Sequence, residues 1–396
     1  MRKPPFSVRV FDCDTHVWEP PAVWDDFLDP AHRDSARAAF RYTLDATGEA
    51  TVMLNGQSAA PLGSSRLVRQ AIWRPDLTGE AIAALDPRRF HPLNAGAYDP
   101  QTRLADMDAL GVERSLLFPT LFAEYLPAVD DADLAYLLAR AYNDWVLEFC
   151  KADPRRLFAA AILPFNAPDL AEAEARRAVA LGFRACVVRP CFHGGRFINH
   201  PSYRRVWRVL ERSAVAVFVH ASPGGVKEGW QSTGGYVEAM GSGTGLGHLV
   251  AESIAPLLDD ALALTTFCFG GHMEDFPRLK IAYAHAGAWW APLVLERAET
   301  YLCVGAPRRD VSLEPGRLFF ERPSLVQVDG WERFVAREPD RWARVGAWGS
   351  RHPNHDASTP AEAMDCFARH QLPADIVTRL MGGNVAAFLG LEPADA

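Results

Sequence analysis

Residues 158–188 read FAAAILPFNAPDLAEAEARRAVALGFRACVV, and the order of signals in this stretch decides the fold. Residues 158–163 form an apolar run without a polar face, as a strand covered on both sides requires. Asn166 is placed to cap a helix, with Pro168 in its first turn and Asp169 near the positive end of the helix dipole. Apolar Leu170, Ala173, Ala178 and Leu181 follow, and Gly182 ends it. The next apolar run, Ala185–Val188, starts within three residues, which is the tight connection a βα repeat needs.

Working outward, the same alternation recurs along the chain. Apolar runs at 8–11, 115–118, 215–219, Ile281–Ala284, 325–328 and 345–348 join the two above to make eight. Strands separated by helices predict a parallel sheet, and eight of them predict an α/β fold of the closed (β/α)8 (TIM) barrel type. Two segments break the rhythm. Residues from about 20 to 100 hold a helical patch and a hairpin at 40–44 and 51–54, turned by Asp45, Thr47 and Gly48, with Asn55-Gly56 after it. This segment reads as a cap inserted after strand one. Residues 221–250 carry nine glycines directly after His220, either as a lid or as a plain surface loop. The expectation is one domain over 1–396.

Composition narrows the function. The chain is 49% hydrophobic and 23% charged, so it folds as an ordinary globular protein, and its net charge of -8 offers no general attraction to nucleic acid or anionic lipid. Small molecules are therefore the expected partners. The apolar stretch at 261–271 is short for a membrane span, and the amino end lacks a secretory pattern, so a cytoplasmic setting is expected. Seven cysteines without a CxxC pair exclude a structural zinc site, and because most lie inside apolar runs they are expected to be buried reduced thiols. A Walker loop, a GxGxxG opening a helix and a GxSxG elbow are all missing from the sequence.

Barrel chemistry sits at the carboxyl ends of strands, so the residues after each run matter most. Strand one runs into Asp12, Asp14 and His16; strand four into Arg189; strand five into His220; strand six into His285. Strand eight runs into Ser350, Arg351, His352, His355 and Asp356. Asp14 and His16, two apart, share a strand face and with His220 make three N/O donors, the number typical of a catalytic divalent-metal site. The competing reading is a set of strand-end histidines that only cap the barrel by hydrogen bonding. Arg189 suits a substrate carboxylate or a neighbouring acid, Trp18 a pocket wall or the core, and Asp12 a loop support behind Asp14.

The segment Phe11-Asp12-Cys13-Asp14-Thr15-His16-Val17-Trp18-Glu19-Pro20 resembles the opening of the amidohydrolase-related family, in its aminocarboxymuconate semialdehyde decarboxylase-like branch. Residues 103–108 with Gly111-Val112 look like its first barrel helix, and Leu117-Phe118-Pro119-Thr120 like its second strand. Phe218-Val219-His220 and Ala284-His285-Ala286-Gly287 look like its strand-five and strand-six histidine motifs, and residues 380–386 like its terminal helix. The resemblance implies a (β/α)8 barrel with one metal ion, zinc or manganese, held by Asp14, His16 and His220. It also implies that His285 acts on the substrate, that the reaction is decarboxylation, hydration or hydrolysis, and that the protein is a homodimer.

Strand eight departs from that pattern. Where the family motif reads like Gly-Ser-Asp-Tyr-Pro-His-His-Asp, this chain has Gly349-Ser350-Arg351-His352-Pro353-Asn354-His355-Asp356. Arginine replaces a ligand and base with a permanent cation. At about 5 Å and an effective dielectric of about 20, it would repel a divalent ion by roughly 6 to 7 kcal/mol before screening. Three readings follow: Arg351 turns away and the metal stays; Arg351 takes the ion's place and clamps a carboxylate while a histidine does acid-base work; or the barrel is a noncatalytic binder. The dense furnishing of the mouth favours the second. The site set read from the sequence is therefore His285, Arg351 and His355 as catalytic, with Arg189, Trp18, His352 and Asp356 on the substrate. Asp14, His16 and His220 hold one divalent ion where the site remains competent, and no cofactor otherwise. The substrate expected is a small aromatic or unsaturated carboxylate.

Overall fold

The computed structural model describes residues 7–44, 50–59, 95–222, 236–237, 240–241, 247–305, 310–354 and 356–391. Eight parallel strands run in chain order around one sheet: β1 Val10–Val17, β2 Val112–Pro119, β3 Leu157–Ile162, β4 Ala185–Val188, β5 Ala216–His220, β6 Ile281–Ala284, β7 Ser324–Val328 and β8 Gly346–Trp348. The sheet is nearly closed into a barrel. Its seam is stitched just beyond β8, where Arg351 N–H donates to the Asp14 carbonyl at 2.8 Å and His16 N–H to the His352 carbonyl at 2.7 Å. The interior is filled by side chains: Phe118 and Phe218 lie 5.2 Å apart between ring centroids, and Phe118 packs 5.0 Å from His220.

β1 is longer than its apolar run. Asp12, Asp14 and His16 lie inside the strand, all of which is buried, and the pairing with β2 shifts between Asp12↔Ser115 and Thr15↔Leu117. Three residues of β1 there span two of β2, a bulge that re-aims side chains. The cap of the helix Pro168–Ala180 also differs from expectation. The N-cap is Ala167, and Asn166 instead donates to the Leu126 and Val129 carbonyls, tying down the loop after β2. Gly182, at φ +87, ends that unit in the left-handed conformation glycine adopts freely.

The insertion contains antiparallel strands at Phe40–Leu44, Ala50–Leu54 and Gln57–Ala59. Its predicted turn at 45–48 and most of the glycine-rich loop lie outside the described residues. The helix Gly247–Gly270 is, by length and composition, apolar enough to cross a bilayer, more so than the run at 261–271 suggested. It packs in the helical layer, with Ala251, Ala255, Ala263, Leu264 and Phe267 buried, and it carries Pro256 and the buried acids Asp259 and Asp260.

Candidate metal and active site

Bulged β1, the end of β5 and the turn after β6 bring Asp14, His16, His220 and His285 together, with one ligand atom from each within 4.8 Å of all the others. His220 Nε2 lies 3.2 Å from Asp14 Oδ1, and its Nδ1 is 2.8 Å from the Ala221 carbonyl. His16 Nε2 approaches the same Asp14 oxygen at 3.3 Å without hydrogen-bond geometry, while its Nδ1 is 3.2 Å from the Pro119 carbonyl. These carbonyl contacts orient both rings so that their Nε2 atoms face the carboxylate. Burial opposes the charge on Asp14, but His220 and His16 beside it hold its carboxyl well below the usual range.

Three atoms of this cluster, Asp14 Oδ2, His16 Nε2 and His285 Nδ1, are buried without a hydrogen-bond partner. Buried polar atoms are normally satisfied. Orphaned oxygen and nitrogen donors converging on one point fit a divalent cation and suit either zinc or manganese. Burial, then Arg351 and His220, push His285 down to about 3, so its ring is neutral and able to donate a lone pair.

Arg351 is buried, and its guanidinium points to the rim. Nη2 reaches Asp329 Oδ1 and Oδ2 at 2.7 and 2.8 Å and the His285 carbonyl at 3.1 Å; Nη1 reaches Asp356 at 2.6 Å. The Trp331 ring lies 5.6 Å from it. Its ion-pair partners are Asp329 and Asp356, so the expected clamp is engaged with protein acids, and the guanidinium does not replace the ion between Asp14 and the histidines. That geometry favours the first of the three readings over the second.

The other expected residues sit as follows. Asp12 Oδ1 accepts from Asp14 N–H and Ser350 N–H, supporting the strand behind the cluster. Arg189 is buried and donates to the Glu124 and Ser222 carbonyls, bridging the loops after β2 and β5. Trp18 is buried where β1 meets the insertion, its backbone N–H on the Ala97 carbonyl. His352 is buried 3.7 Å from Asp106. His355 lies outside the described residues.

The sequence reading missed Gln327, Asp329 and Glu332. Asp329 directly follows the β7 run, so the strand-end rule that found the histidines also points to it. Gln327 faces inward from β7 and accepts the His285 N–H. Glu332 gives no sequence signal; its role arises from folding back onto the turn after β6, where it accepts from Ala288 and Trp289.

Comparison with known proteins places this arrangement in context. The family model described as "Amidohydrolase" matches residues 11–391. The 2-amino-3-carboxymuconate-6-semialdehyde decarboxylase of Dictyostelium discoideum is 23% identical over 324 residues, covering 79% of this chain and 83% of its own. A crystal structure of an amidohydrolase from Mycobacterium avium subsp. paratuberculosis superposes with a TM-score of 0.74 at 17% identity, covering 98% of this chain and 100% of that one. A dihydroxybenzoic acid decarboxylase from Polaromonas sp., solved with bound manganese and the inhibitor 2-nitroresorcinol, has a TM-score of 0.63 at 16% identity, with 98% of each chain covered.

Proposed function

This chain belongs to the amidohydrolase family, and from that premise we infer that it is a metal-dependent carboxy-lyase for a small aromatic carboxylate. The observation that carries the reading is the converging, unsatisfied donor set of Asp14, His16 and His285 beside His220, at the mouth of a barrel similar to decarboxylases. One divalent ion, manganese or zinc, would be held by Asp14, His16 and His220, and when bound it supplies a Lewis acid that fixes and polarises an acidic substrate. The Asp14 carboxylate and the carbonyl-anchored rings of His16 and His220 keep the donors aimed. Decarboxylation replaces the bond to CO2 with a bond to hydrogen, so a proton carrier is needed. Asp329 stands at the β7 end of the same mouth, where burial raises its carboxyl against the pull of Arg351, and it is the acid proposed to carry that proton. A noncatalytic binding barrel has no observation in its favour.

The test is turnover of full-length protein loaded with one equivalent of manganese or zinc, on a panel of hydroxybenzoates, followed by CO2 release. CO2 release that a chelator abolishes and added metal restores is the expected result. Hydrolysis of esters or amides by the loaded protein, with no CO2 from any carboxylate, overturns the reading in favour of a hydrolase.

The reading includes a homodimer in the cytoplasm. Exposed Leu258 and Leu262 on the helix Gly247–Gly270, and Leu293, Tyr301 and Val304 on the adjoining helix Trp290–Gly305, support an apolar contact between copies. Seven unpaired cysteines suit a reducing compartment.

A further inference from the structure

His285 is held on both sides of its backbone by side chains from β7 and from the segment after β8. It follows β6 at φ +76, in the left-handed region that residues other than glycine enter uncommonly. Its N–H donates to Gln327 Oε1 of β7, and its carbonyl accepts from Arg351 Nη2 at 3.1 Å. Arg351, at φ +62, is fixed in turn by Asp329, Asp356 and Trp331, and by its own N–H on the Asp14 carbonyl. The pinned turn delivers the His285 ring to the donor cluster. Its centroid lies 5.2 Å from that of His220 and 6.2 Å from that of His16, and Nδ1 is buried with no partner.

We propose that His285 is the fourth donor of the metal site, and that Arg351, standing where the strand-eight aspartate is expected, is a positioning residue that pins the turn presenting it. The proposal rests on the metal-dependent reading above. The ligand lost from strand eight is thereby supplied from strand six, and the new cation is ion-paired with Asp329 and Asp356.

Electrostatics and positioning predict opposite signs, which makes the proposal testable. If Arg351 acts only as a charge near the ion, removing it tightens metal binding. If it positions a donor, removing it loosens binding, as loss of a residue supporting a ligand does, by about 10-fold or more. Mn2+ affinity of the full-length chain is read by electron paramagnetic resonance of free Mn2+ during titration. Arg351→Met and His285→Ala should each weaken it about 10-fold or more, and the double variant should be little weaker than either single one. Arg351→Lys keeps the charge but loses the fork that reaches three partners, so it should also weaken binding, and it serves where Arg351→Met does not fold. Unchanged or tighter Mn2+ binding in the Arg351 variants, or full additivity in the double variant, overturns the proposal. Absence of Mn2+ binding by the unaltered protein overturns it together with the metal-dependent reading. Because the readout is binding, a protein that shows this pattern yet releases no CO2 overturns only the proposed reaction.

Discussion

Glu332 shows how a single buried acid behind the site ties stability to pH. Its Oε1 accepts from Ala288 and Trp289 N–H, its Oε2 from Asp329 N–H, and burial followed by the nearby Asp329 raises its carboxyl to about 8. The unfolded chain titrates this residue near the usual glutamate value of about 4.3. Between those values the folded protein holds a proton that the unfolded chain has released, so the contribution is full below about pH 4.3 and is lost as pH rises toward 8. Glu332→Gln should cost some stability at pH 5, where one oxygen now serves three donors, yet lose less melting temperature than the unaltered protein between pH 5 and pH 8. Parallel melting curves for the two proteins across that range would sink the argument. Asp329, also buried, pushes in the same direction, which is why the comparison is of slopes.

At the scale of elements, the segment at 379–388 closes the bottom of the barrel against β1. A Cβ on Gly382 would lie 2.7 Å from the Arg9 carbonyl oxygen and 2.9 Å from the Phe11 nitrogen, both backbone atoms that cannot swing aside. Leu380 and Met381 beside it are fully buried. Gly382→Ala should therefore destabilise the protein by about 1 to 3 kcal/mol, measured by urea unfolding, as overpacking does. Because this contact sits at the amino end of β1 and the donor cluster at the other end of the barrel, metal stoichiometry by elemental analysis should be unchanged in the same variant. Loss of metal with no loss of stability would contradict the division of the barrel into a structural bottom and a chemical top.

For the whole molecule, the helices Gly247–Gly270 and Trp290–Gly305 lie side by side and present Leu262 and Leu293 to solvent. Two charges there, Leu262→Glu with Leu293→Glu, should convert the proposed dimer to a monomer in light scattering at micromolar concentration without loss of helical content. A variant that stays dimeric moves the interface elsewhere, and an unaltered protein that is monomeric removes it. The same layer explains why a helix of membrane-like composition belongs to a barrel: its buried face covers the strands, and Asp259 and Asp260 are enclosed by the protein.

What the sequence determined by itself was local and periodic. Apolar runs of strand length, helices ended by residues such as Gly182, and histidines at or next to the carboxyl ends of those runs are properties of neighbours in the chain, so eight strands and the grouping of His16, His220 and His285 at strand ends were legible. Only the tertiary structure decided where long polar side chains point. The sequence reading ended β1 early because Asp12 and Asp14 interrupt its apolar run, and only the barrel, which covers both faces of the strand, buries them. Asn166 follows every local rule for a helix cap but donates instead to the Leu126 and Val129 carbonyls, about 40 residues away. Arg351 looked like a substitute for the ion because its charge was known and its partners were not. Asp329, 22 positions earlier, and Asp356 set the direction of the guanidinium. A charged side chain is placed by whichever opposite charge the fold brings within reach, and that depends on the packing of strands distant in sequence.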